Sequence, residues 1–125
     1  MIDLADVWRR IAYGAQDRNA ERLVEGRTVG GSATAPKKGG GRAGVASGEL
    51  LADLTRRGNV VLDTNGFTVA PSPSVAARFF AFCRGRKGQP ARPVGGFDEE
   101  TLARARDELA VAARDQVVEQ IRADS

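Results

Sequence analysis

The chain has 125 residues, with 19 Lys and Arg against 16 Asp and Glu, which suits one small basic domain. Hydrophobic residues make up 42% of it, but 20 of them are alanine, so only a modest core can form. With no histidine and one cysteine, Cys83, the composition excludes Cys-His nucleophiles, cysteine-cluster metal sites and an intrachain disulfide.

The first predicted element is a helix over residues 3–24. Leu4, Val7, Trp8, Ile11 and Ala15 project onto one apolar stripe, with Asp3 as N-cap and Gly26 as the stop. Trp8 reads as a core anchor. Asp17, Glu21 and Glu25, interleaved with Arg18 and Arg22, read as a solvated ion-pair face rather than a carboxylate site. The N-terminal segment has no cationic leader before an apolar run and does not read as a signal peptide, and no apolar run approaches the ~18 residues of a membrane span. A cytoplasmic or virion-like protein is the expectation.

Residues 26–48 hold eight of the fifteen glycines and no acid, with Arg27, Lys37, Lys38 and Arg42 as the cations. Such a stretch buries too little apolar surface to offset ordering, so a flexible basic loop or linker is expected, with Thr28 and Val29 as a short extended contact. Its glycines match neither phosphate-loop spacing, GxxxxGK[ST] or GxGxxG.

A short helix over 49–57 follows, with Leu50, Leu51 and Leu54 on its apolar side, Ser47 as cap and Gly58 at its end. Residues 60–70 read as a hairpin turning at Asn65-Gly66, which pairs Leu62 with Val69 and Asp63 with Thr68. That register sets Val60, Leu62, Phe67 and Val69 on one face, toward the core. Ser72 and Pro73 then open a helix over 73–84 carrying Val75, Phe79, Phe80, Phe82 and Cys83.

Residues 84–96 form a second basic connector, again without acid. The last helix, expected over 98–122, starts from a capping Asp98 and a Phe97–Leu102 staple. From Asp98 onward eight acids face four bases. The predicted fold is therefore α+β and mainly α: a single small helical domain over 1–125, with one two-stranded β-hairpin and two flexible basic connectors.

Two noncatalytic functions fit this pattern. In the leading one, the DNA or RNA phosphate backbone is held by Lys37, Lys38, Arg42, Arg56, Arg57, Arg84, Arg86 and Lys87 around the helix-hairpin-helix unit. In the alternative, Phe79, Phe80 and Phe82 form an interface with a protein partner or a second copy, in an assembly or adaptor subunit, such as one of a phage particle. No catalytic constellation, cofactor motif or metal-ligand spacing is present in the sequence, so no enzyme activity, cofactor or metal is expected, nor a membrane partner.

Overall fold

The computed structural model describes residues 3–34, 48–64, 66–85 and 90–124. Four helices and one antiparallel hairpin follow in the order α1 (Ala5–Glu25), α2 (Glu49–Leu54), β1 (Val60–Asp63), β2 (Gly66–Val69), α3 (Pro73–Arg84) and α4 (Glu99–Asp124). The fold is the predicted mainly helical domain with a hairpin. Lys37, Lys38, Arg42, Arg86, Lys87 and the proposed cap Ser47 lie outside the described residues.

Helix α1 is the spine. Its apolar stripe is buried at Val7, Ile11, Ala15 and Leu23, and a flanking row at Ala12 and Ala20 is buried too. Gly26 ends it in the left-handed conformation (φ 69°), donating its N–H back to the carbonyls of Arg22 and Leu23. At the other end Leu4, not Asp3, takes the N-cap position, while Asp3 Oδ1 accepts the Ala5 N–H at 3.0 Å. After Gly26 the chain turns back on itself: Arg27 bridges Ala33, and Thr28 N–H donates to the Ser32 carbonyl at 2.8 Å.

Helix α2 stops at Leu54, short of the predicted residue 57, and a 3-10 turn over Arg57–Asn59 carries the chain into the hairpin. Gly58 sits inside that turn instead of capping the helix. The hairpin register also differs from the expectation. Val60 faces Val69, Leu62 faces Phe67 and Asp63 faces Gly66, so Gly66 is paired within β2 rather than sitting in the turn, and Asn65 lies outside the described residues. The shift keeps each side chain on its predicted face, since it moves the pairing by two. It also sets the four apolar residues directly opposite one another, where cross-strand contact is closest.

The main core joins Ala20 and Leu23 of α1, Leu50 and Leu54 of α2, Val75 and Phe79 of α3, and Val94. A second row of aromatic contacts runs from Trp8 through Phe67 to Phe97, with ring centroids 5.9 and 5.8 Å apart. Helix α4 lies antiparallel along α1. Asp98, ahead of its first turn, pairs with Arg18 and Arg22, and Gln116 hydrogen-bonds the backbone of Asp3 through both amide atoms.

Candidate functional site

Three features outside the ordinary core carry the chemistry of the described surface: a buried arginine clasp, an apolar cleft, and the outer face of α4. The clasp centres on Arg22, only 2% exposed although the sequence placed it on a solvated face. Its Nε donates to the Val94 carbonyl at 2.8 Å, Nη1 to Asp98 Oδ2 at 2.7 Å, and Nη2 to the Gly96 carbonyl at 2.7 Å and to Asn19 Oδ1. A planar five-donor fork suits this task, because it can serve several oxygens in one plane. Burial lowers the Arg22 pKa from its ordinary value, and the Asp98 carboxylate offsets this only in part.

Asp98 does two jobs. Its Oδ1 accepts the Thr101 N–H at 2.8 Å, which caps α4 as the sequence suggested, while Oδ2 receives Arg22 and also Arg18 Nε at 3.0 Å. Burial opposes its ionisation, yet the hydrogen bonds from Thr101 and Arg18 and the Arg22 charge hold the carboxyl well below the usual carboxylate range. The clasp thus ties residues 94–98, which have no regular secondary structure, to α1. Nothing in a linear sequence matches an arginine to an aspartate 76 positions away; the one local signal was the capping pattern.

Fixing that segment builds one wall of a cleft of about 360 Å³. Leu54, Val69, Phe79, Phe80 and Phe97 make its apolar surfaces, Cys83 also lines it, and exposed Arg84 stands beside Phe80, its guanidinium 5.5 Å from the ring centre. The polar groups in the cleft are already engaged. Gln16 donates to the Arg56 carbonyl at 2.7 Å and accepts from Arg57, Asn19 accepts from Gly96 and Arg22, and buried Asp53 accepts both the N–H and the hydroxyl of Ser72. Burial raises the Asp53 pKa, but the Ser72 and Asn59 hydrogen bonds and the Arg56 charge outweigh it, leaving the carboxyl below its ordinary value. With its one carboxylate and its amides engaged inside the fold, the cleft offers apolar walls and a cationic side chain.

Three of the predicted phosphate contacts, Arg56, Arg57 and Arg84, lie among the described residues. Arg57 is committed to α1: its guanidinium lies 4.6 Å over the Tyr13 ring, with Nη2 3.1 Å from Asp17 Oδ1 and Nη1 3.0 Å from Gln16 Oε1. Arg56 is exposed and 3.5 Å from Asp53. Arg84 is at the C-terminal end of α3 and lines the cleft. Of the three phenylalanines expected at an interface, Phe79 belongs to the core, Phe82 is partly buried under Arg92, and Phe80 is 45% exposed.

Helix α4 is the least covered element. None of its 26 residues is buried. Val111, Val117, Val118 and Ile121 are 39–61% exposed, and from Gln116 onward the helix continues past the point where it is tied to α1. Among the described residues no group of three or more His, Cys, Asp or Glu side chains could hold a metal ion, and no helix is long and apolar enough to cross a membrane.

No family model, curated protein or solved structure matches this chain. The functional reading therefore rests on the surface itself.

Proposed function

We propose that this protein is a noncatalytic assembly subunit whose copies associate through α4. The observation that carries this reading is a 26-residue helix with no buried residue, along which the large apolar side chains Val111, Val117, Val118 and Ile121 stand exposed. Isolated helices draw little stability from propensity alone; most comes from packing an apolar face. A helix that stays exposed along such a face marks an interaction surface. Phe80 and the apolar cleft add a second exposed region on the same small domain.

A nucleic-acid role is the second reading, and one observation favours it. The Val29 N–H donates to the Pro93 carbonyl at 2.9 Å, so the described flanks of the two basic connectors are joined although 64 positions separate those residues. Neither connector contains an acid, and among the described residues Arg27 and Arg84 are their exposed cations; attraction to phosphate is what this reading would draw on.

Sedimentation across a concentration series, before and after nuclease treatment, separates the readings. Self-association predicts a mass that rises with protein concentration and is insensitive to nuclease. Val117→Lys with Val118→Lys should abolish the rise while leaving the unfolding midpoint at low concentration unchanged. A monomer at all concentrations overturns the assembly reading, and a mass that collapses on nuclease treatment transfers the function to the connectors.

A further inference from the structure

We infer that the cleft lined by α1, α3, β2 and residues 95–97 binds a small organic acid, with the apolar body of the ligand against Phe80, Phe97 and Val69 and its carboxylate on Arg84. The site is separate from α4 and does not depend on copies of the chain associating.

The cleft has the size and lining of a small-molecule site. Its volume of about 360 Å³ lies within the roughly 300–1,000 Å³ typical of such sites. That is about twelve times the ~30 Å³ of a water molecule in the liquid, space for an acid of about a dozen heavy atoms. An α-helix with its side chains is about 10–12 Å across, so a single turn, about 5.4 Å long, takes roughly 400 Å³ or more. A helix of another chain therefore cannot enter. Phe80 and Phe97 are 45% and 44% exposed, and an apolar body laid against them removes aromatic surface from water.

Charge selects an acid. Arg84 is exposed and is the one cation in the lining. Every Asp and Glu of the chain lies among the described residues, and none of them pairs with Arg84. Its guanidinium stands over the Phe80 ring, with no oxygen acceptor among the described residues. Arg18, Arg57 and Arg78, by contrast, are already ion-paired. The single carboxylate in the lining, Asp53, is 2% exposed and accepts both the N–H and the hydroxyl of Ser72, so it does not compete for Arg84. An uncompensated guanidinium beside an apolar cleft complements a ligand that is apolar at one end and anionic at the other. A carboxylate meets its planar fork through two parallel N–H···O bonds.

The wall is also set before a ligand arrives. Arg22 holds the carbonyls of Val94 and Gly96, and Asn19 accepts the Gly96 N–H at 3.2 Å. Residues 94–96 are thereby fixed to α1, so binding does not bear the cost of ordering them.

Decanoate is the probe, and decanol, with the same alkyl chain and no charge, is its control. Titrating the isotope-labelled full chain, at concentrations where it sediments as a single species, should shift the amide resonances of Phe80, Cys83, Gly95 and Phe97. Arg84→Gln should weaken decanoate about tenfold and leave decanol unchanged, and Arg84→Lys should recover part of the loss. Phe80→Ala should weaken both ligands. Both side chains are exposed, and circular dichroism checks that each variant folds. Equal decanoate affinity in the parent and Arg84→Gln would overturn the assignment. So would shifts gathered along α4 instead of the cleft, or none at several millimolar decanoate. Cleft resonances that move with protein concentration alone would place a second copy there and overturn it too.

Discussion

Arg22 and Gly95 show how single residues set the geometry around the cleft. Gly95 has ordinary backbone angles but no room: a Cβ there would sit 2.9 Å from Phe79 Cζ and 3.2 Å from Cε1. Phe79 is a core residue and can yield only by moving its neighbours. Gly95→Ala should therefore cost about 1–3 kcal/mol through overpacking, read as a lower urea midpoint with an unchanged slope. A variant as stable as the parent would show that the ring and the segment 94–96 part easily. The sequence presented Gly95 as one glycine of a flexible connector, because its steric role comes from a ring sixteen positions earlier. Arg22 was misread for the same reason: its neighbours on α1 are charged, and only the arrival of residues 94–98 encloses it.

At the scale of elements, helix and strand positions were legible from periodicity, capping and turn residues. Pro73–Arg84 coincides with its prediction, and α1 and α4 differ from theirs by two residues or fewer at each end. What periodicity could not supply was which face meets which neighbour. The hairpin chose the register that opposes Leu62 to Phe67, in contact with Trp8, over the one its Asn-Gly pair suggested. Helix α4 divides into a part held against α1 and a tip beyond Gln116 in which Val117, Val118 and Ile121 are exposed. Ending the chain after Gln116 should leave the urea midpoint of the dilute protein within about 0.5 kcal/mol of the parent, as expected for exposed residues away from core features. A loss well above that would place the tip in the chain's own fold and remove it as a docking element.

For the whole molecule, the clasp is what joins the distant parts of the chain, and it makes stability depend on acid. A carboxyl whose folded-state pKa is depressed contributes stability that is complete above its unfolded value and is lost as pH falls through the folded one. Asp98 is such a group, so its contribution should be full above about pH 4 and decline progressively below. Asp98→Asn leaves Arg22 buried beside an uncharged partner and should cost about 3 kcal/mol at neutral pH. Urea unfolding at several pH values should also show a shallower acid dependence in the variant, with the remaining slope due in part to Asp53, whose pKa is likewise depressed. Equal pH profiles for parent and variant would detach Asp98 from acid stability.

By itself, the sequence determined the class of fold and its inventory. Amphipathic spacing specified four helices, the alternation over residues 60–69 specified a ribbon, and the missing histidines and cysteines excluded whole categories of chemistry. These are local or compositional properties, so a linear reading reaches them. The tertiary structure alone decided that Arg22 and Asp98 form a buried clasp, that Val94 enters the core, that Phe79 and Phe80 part company, and that α4 carries an apolar surface its own domain leaves exposed. Each of those depends on elements far apart in the chain meeting in one place, and burial, unlike periodicity, is a property of the meeting.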